Sequence, residues 1–337
     1  MMTSRERVLR TLEFNAPDRV PVDLWSLPRA RLVHGEAFDR LYRAHDPDIV
    51  SVWGPFDRWF APEYYQQGRY TDPWGSVWAK QEGGPPIAVW EPVFADYKRL
   101  EGYEPPVAWF LSEWDAARGE IAGRIAQARH SGKFIIGGWI NLFERMRLLR
   151  GPEELFCDIA MEEDGLFRVM EIVMRYMRSY LERWLEMDID AVFFDDNWGA
   201  RSSLLIPVRI WRRMFKPLYR ELIGRTRAAG KKVFFHSGGY IWDLYPELIE
   251  LGADAVNSDL WRMGTEKVAA HFAGKITFWG KINCRWTLPF GTPEEIYAEA
   301  HSVKRHLFCG GGLIGQSEIG GNIPLANTEA ALTAWNR

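Results

Sequence analysis

The sequence predicts an α/β chain closed into a (β/α)8 TIM barrel, on three observations. Eight short apolar runs alternate with helical patterns, the order that a series of strand–helix units demands. Several of these runs pass straight into polar residues, as in VFFDDNW (192–198), VFFHSGGYIW (233–242), AVNSDLW (255–261) and ITFWGKINC (276–284). Strand C-termini are where such a barrel builds its site. The length, 337 residues, suits one barrel with insertions, so residues 1–337 are read as a single domain.

At the N-terminus, MMTSRERVLRTLEF reads as an amphipathic helix with Ser4 as its cap. It lacks the apolar stretch and small-residue cleavage site of a signal peptide. Strands are expected at 19–24, 48–53, 134–139, 190–195, 232–236, 254–257, 275–279 and 311–315. Between them, Asp158–Asp164 leads into a helix over 165–186, and a helix over 207–229 stops at Gly230. Thr292-Pro293-Glu294-Glu295 supplies a cap, a first-turn proline and first-turn acids for a helix running to about His306. Gly252, Gly274 and Gly310 close the loops before the last three strands. Residues 54–113 break the pattern: GRYTDPWGSVWAK and EGGPPIAVWEPV are rich in Pro, Gly, Tyr and Trp and alternate like short antiparallel strands. They are expected to form an irregular β excursion between the second and third barrel strands, with 70–75 as a hairpin turn and a role as lid or wall of the site.

Seven of the 17 tryptophans, Trp25, Trp53, Trp139, Trp198, Trp242, Trp261 and Trp279, fall at or just after strand ends. Indoles commonly just fill core, but their repetition at corresponding positions predicts an aromatic-walled mouth suited to a large, flat, partly apolar ligand. The net charge of -3 provides no basic field for nucleic acid and no polybasic membrane patch, and no apolar run is long enough to cross a bilayer. The partners expected are a small-molecule substrate and another protein. Cys157, Cys284 and Cys309 are scattered without CxxC spacing, which supports neither a disulfide framework nor a zinc ribbon, and a cytoplasmic location is the simplest setting.

ERVLRTLEFNAPDRVPVDLW, TDPWGSVWAK, GGWINLFERMRLLRGPEEL, FFDDNWG with LLIPVRIWRRMFKPLYRELI, HSGGYIWDLYPELIELGADAVNSD and FWGKINCRWTLPFGTPEEI together resemble the uroporphyrinogen decarboxylase superfamily, in its branch of corrinoid-dependent methyltransferases. The resemblance covers nearly the whole chain. It implies a uroporphyrinogen decarboxylase-like barrel with its site at the strand C-termini. The arginine-bearing N-terminal loop of true decarboxylases of the family has no counterpart: QQGRY (66–70) lies in the excursion, not after the first strand. In zinc methyltransferases of this branch that act on thiols, a His-x-Cys pair follows the fifth strand and a second Cys the eighth. Here those stretches read His236-Ser237-Gly238-Gly239 and Gln316-Ser317-Glu318, so the histidine remains and both soft ligands are gone. Zinc presents a bound thiol as a thiolate. No zinc is expected here, since His236 and Glu318 need a third ligand from Asp195, Asp196 or Asp259 to hold a catalytic metal.

A site without zinc suits a nitrogen acceptor such as tetrahydrofolate, where the protein orients a pterin and manages one proton. Alternation places Phe193 and Asp195 on one face, so Asp195 is the mouth-facing acid and Asp196 a cap of the next turn. His236 ends an apolar run before Ser-Gly-Gly, which fits either a core histidine or a catalytic one. With Glu318 these form the candidate catalytic set. Asn197, Trp198, Tyr240, Asp259, Trp261, Lys281, Asn283 and Gln316 are the candidate substrate-binding residues: Asn197, Asp259 or Gln316 for a pyrimidine edge, Lys281 and Asn283 for a carboxylate tail or for loop stability. Gly238-Gly239 is weak evidence for an anion site. Glu144-Arg145, after the third strand, reads as an active-site pair or, more simply, as a salt bridge that fixes the loop, and Arg145, Arg147 and Arg150 as a solvated helix face.

The expected function is thus a methyltransferase moving a methyl group between a corrinoid (methylcobalamin, carried on a separate corrinoid protein) and tetrahydrofolate. No DxHxxG corrinoid-ligating segment occurs in the chain. Two alternatives stay open: a decarboxylase of a tetrapyrrole or aromatic carboxylate with Asp195 and His236 as its acid–base pair, and a non-catalytic corrinoid or tetrapyrrole binder.

Overall fold

The computed structural model describes residues 2–26, 30–55, 57, 68–80, 88–320 and 322–336. Eleven strands are found among them: β1 Val22–Ser26, β2 Ile49–Val52, β3 Gly68–Thr71, β4 Val77–Lys80, β5 Ala88–Glu91, β6 Phe134–Ile140, β7 Ala191–Asp195, β8 Lys232–Ser237, β9 Ala255–Ser258, β10 Thr277–Lys281 and β11 Leu313–Ile319. Eight of them form one sheet in the order β1-β11-β10-β9-β8-β7-β6-β2, a nearly closed barrel of parallel strands surrounded by helices. Each expected barrel strand is present, several shifted two or three residues towards the C-terminus. The run of the sequence thus translates directly into neighbouring strands, as right-handed strand–helix units require.

By packing, the chain divides into two compact units, 1–52 with 124–137 and 189–337, and 53–123 with 138–188. The second exceeds the expected excursion because 138–188 packs with 53–123 instead of standing alone.

In the first unit, three aspartates sit just before strands and accept a backbone N–H from the adjacent strand. Asp48 takes Val22 N, Asp190 takes Ile135 N and Asp254 takes Val233 N, each at 2.8 Å. Parallel strand starts leave such N–H groups to be satisfied, and a buried carboxylate does so with a charge-assisted bond. Asp48 is balanced by Arg7 and Arg19, Asp190 by Arg5 and Arg129. The N-terminal helix Ser4–Leu12 is capped by Thr3, whose side chain accepts from Glu6 N; Ser4, the expected cap, is its first residue. The helix over 207–229 is in fact two, Val208–Met214 and Lys216–Ala228, the second opened by the first-turn Pro217. Thr292 and Glu295 form the expected capping box of helix Pro293–Leu307.

In the second unit, β3, β4 and β5 make a three-stranded antiparallel sheet. Their first turn follows Thr71, where Asp72 N donates to Ser76 O at 2.9 Å. Tyr70 and Thr71 therefore belong to the strand, not the turn. Of the excursion, 56, 58–67 and 81–87 lie outside the described residues, and with them both glutamines of QQGRY and all of EGGPPI. The excursion ends earlier than residue 113, because helix Val107–His130 has already begun. Helices Leu142–Arg150, Pro152–Met161 and Asp164–Leu185 complete the unit around a core in which Trp114 meets Trp184 edge-on at 5.3 Å. Among the described residues, no helix is long and apolar enough to cross a membrane.

Candidate functional site

Alternation along the barrel strands sends Asp23 and Trp25 of β1, Phe193 and Asp195 of β7, His236 of β8 and Trp279 of β10 to one place. Trp25 meets Trp279 at 4.9 Å, His236 at 5.3 Å and Phe193 at 5.8 Å, all edge-on, the arrangement favoured by the ring quadrupole. An aromatic mouth thus exists, built from fewer indoles than the sequence suggested. Trp242 packs on the helix side against Phe272 and His271, under Lys267. Trp198 is corrected more strongly: it is 0% exposed, packs on Phe215 and Trp211 and donates its indole N–H to Tyr219 at 3.0 Å. It is core and meets no substrate, because after Asp196 the chain turns into the helix layer.

Asp195 and His236 come together. The register pairs them across β7 and β8, and Asp195 Oδ1 lies 4.0 Å from His236 Nε2. His236 Nδ1 sits 2.8 Å from Asn257 Oδ1, while Asn257 Nδ2 donates to Trp279 O at 2.6 Å. That second bond fixes the amide orientation, so Nδ1 of the imidazole carries the proton and Nε2 is left as an acceptor facing Asp195. Burial, aided by the cation of Lys281, pushes the imidazole down to about 3. At neutral pH His236 is therefore uncharged. Two acceptors across 4.0 Å make a slot for a ligand N–H or O–H.

Asp196 does not cap a turn. It is fully buried, accepts the Tyr219 hydroxyl at 2.6 Å, and its backbone N–H donates to His236 O at 3.1 Å. It supports the strand that carries Asp195 from behind. Asn197 accepts Gly238 N at 2.8 Å and Asp259 accepts Gly239 N at 3.1 Å, so the glycine N–H groups expected for an anion are already satisfied. Gly199 and Gly239 touch backbone to backbone: a Cβ on Gly239, whose φ is +82°, would lie 2.2 Å from Gly199 O. Tyr240 is held beside them by its N–H on Ala200 O. These contacts clasp the β7 and β8 loops together and fix the Asp195–His236 spacing.

On the other side of the mouth, Lys281 Nζ lies 3.5 Å from Asp259 and 5.7 Å from the Trp261 ring. Burial opposes its charge, but Cys284, Glu318 and Asp259 outweigh it and hold the amine above the usual lysine value. Burial, with the nearby charges of Glu318 and Asp259, pushes the Cys284 thiol up to about 11; that thiol is no ready nucleophile. Asn283 accepts Arg285 N and Trp286 N through its side-chain oxygen, a loop-stabilising role. Gln316 is fully buried, with Nε2 on Ser317 O and Oε1 without a partner. Among the described residues no three His, Cys, Asp or Glu side chains converge as a metal site. Sequence reasoning missed Asp23, 2% exposed, which accepts Trp279 Nε1 at 2.8 Å and is pushed by burial to about 7. The signal was an acid inside the apolar run RVPVDLW.

The second unit has its own cleft, lined by Asn141, Arg145, Trp74, Trp109, Trp139 and Asp57 among others. Here the expected pairing is corrected: Glu144 pairs with Arg147 at 2.8 Å, while Arg145 lies 5.0 Å from the Trp74 ring centroid. Arg150, expected in solvent, is held by Asp158 at 2.7 Å and lies over Tyr97.

The sequence model of the uroporphyrinogen decarboxylase (URO-D) family matches residues 81–332. The chain belongs to the URO-D family. Its curated URO-D relatives include the uroporphyrinogen decarboxylase of Burkholderia pseudomallei strain 1106a, 29% identical over 144 residues, 42% of this chain and 37% of that protein. That of Paraburkholderia phytofirmans is 26% identical over 145 residues, with the same shares. The chain thus spans little more than a third of the length of these relatives. Among solved structures, a methyltransferase from Methanosarcina mazei superposes with a TM-score of 0.75 at 15% identity, over 99% of this chain and 98% of that one. At that identity the likeness shows the URO-D barrel alone.

Proposed function

We propose that this URO-D family member is a methyltransferase moving a methyl group between a corrinoid on a partner protein and tetrahydrofolate. The observation that carries the reading is the acceptor pair, Asp195 Oδ1 and His236 Nε2 at 4.0 Å. Methylation of an amine nitrogen forms an N–C bond and releases the proton that nitrogen carried. The two facing acceptors, imidazole Nε2 and carboxylate Oδ1, are placed to hold that N–H, and the carboxylate is the partner that offsets the burial disfavouring an imidazolium when the proton is taken. The corrinoid supplies the methyl group when docked. Trp25, half-buried and backed edge-on by Phe193 and Trp279, is the aromatic face offered to a pterin, and Lys281, held charged beside Asp259, is the cation nearest to an anionic tail.

A second reading, decarboxylation of a tetrapyrrole or aromatic carboxylate, draws support from the names of the relatives and from Asp23. Its carboxyl, pushed to about 7, is the group at the barrel centre able to hand over a proton near neutrality.

The test follows loss of the methyl group from methylcobalamin optically, with and without tetrahydrofolate. Turnover that needs the acceptor and falls by roughly 10²-fold or more in Asp195→Asn and His236→Ala, the range for a positioned acid or base, is expected. Wild-type turnover in both variants contradicts the assignment and moves suspicion to Glu318 and Asp259.

A further inference from the structure

We infer that the second unit carries a binding site for an aromatic carboxylate bearing a hydroxyl or amino group. The inference goes beyond methyl transfer and does not depend on it. Helix Leu142–Arg150 starts at Asn141, whose side chain makes no cap bond to it. Asn141 is 6% exposed and its Oδ1 has no hydrogen-bond partner. One turn on, Arg145 has its Nε buried and equally unpartnered. Both line the same cleft.

Orphaned buried polar atoms are costly, on the order of 1–3 kcal/mol each, so two of them facing one cleft call for an occupant. The carboxylates lining the cleft do not fill the role. Asp57 is held by the Tyr180 hydroxyl and Gly54 N, each at 2.7 Å, and Asp72 by Ser76 N and Trp78 Nε1, each at 2.9 Å. Neither forms an ion pair with Arg145 among the described residues. A guanidinium fork matches a carboxylate with two parallel bonds. The Asn141 oxygen needs an O–H or N–H donor.

Asn141 at the N-cap and Arg145 one turn on thus offer an acceptor and a cation to the same cleft. Trp74, Trp109 and Trp139 supply the flat walls. A cationic guest is disfavoured, because Arg145 already occupies the Trp74 face as a cation. The cleft is open to solvent, and its empty space, counted with that opening, is about 570 Å³.

The experiment titrates the full chain with 4-hydroxybenzoate by calorimetry and tryptophan fluorescence, with 4-hydroxybenzyl alcohol and phenyltrimethylammonium as controls. Saturable binding of the acid, weakened at least about tenfold in Arg145→Met and Asn141→Leu, is expected. The first variant removes the fork; the second removes the acceptor oxygen at similar side-chain volume. Each covers for the other if one fails to fold. No saturable binding up to about 10 mM, equal affinity for the alcohol or the cation, or undiminished affinity in the folded variants overturns the inference. Because the readout is binding, its failure leaves the methyl-transfer reading untouched.

Discussion

Replacing Asp23 by Asn should flatten the dependence of stability on pH. The carboxyl is buried on β1, bonded to the indoles of Trp279 and Trp25, and burial raises it from 3.8 to about 7. An acid whose folded value lies above its unfolded one contributes stability fully present below about pH 4, and loses it as pH rises through about 7. The gap of about three pH units corresponds to an upper limit of roughly 4 kcal/mol at 1.36 kcal/mol per unit. Between pH 5 and pH 8 the wild type should lose up to about 3 kcal/mol more than Asp23→Asn, which keeps an acceptor for Trp279 but does not titrate. Asp57, also raised to about 7, titrates in both proteins and cancels in the difference. Urea unfolding at several pH values across that range reads the effect. Parallel stability curves for the two proteins would refute the reasoning.

His236, lowered from 6.5 to about 3, acts in the opposite sense: its stability is present above pH 6.5 and is lost as pH falls towards 3, so His236→Asn should resist acid better, and nitrogen NMR should show an uncharged ring protonated on Nδ1 at pH 6. Asp196→Asn should cost about 1–3 kcal/mol in unfolding experiments, through its buried bond to Tyr219, with much less loss of turnover than Asp195→Asn. Gly239→Ala should unfold at markedly lower denaturant, because its Cβ meets the Gly199 backbone. Elemental analysis should find no stoichiometric zinc; one zinc per chain, lost in His236→Ala, would restore a metal-activated nucleophile.

The barrel was legible in the sequence because its strands are buried on both faces and read as continuous apolar runs, VFFD and KVFFH among them. Asp195 and His236 were legible for the same reason: period-two alternation continues to the strand end and predicts which side chain turns inward. Past that end the rule gives out. Trp198 lies three residues beyond Asp195, and only tertiary packing decides that it joins Tyr219 and Phe215 instead of the mouth. Asp196 was misplaced likewise, since a hydroxyl partner 23 residues later leaves no local trace. Arg145 read as a solvated helix charge because spacing on a helix cannot reveal an indole from residue 74 lying against it.

Central to the account is that the barrel mouth takes a proton from a nitrogen acceptor during methyl transfer. The most direct test incubates the protein with methylcobalamin and tetrahydrofolate, and separately with a uroporphyrinogen, and analyses products by mass spectrometry. Methyltetrahydrofolate is expected from the first mixture, with no release of carbon dioxide from the second. Carbon dioxide from the porphyrinogen, with no methylated folate, would contradict it.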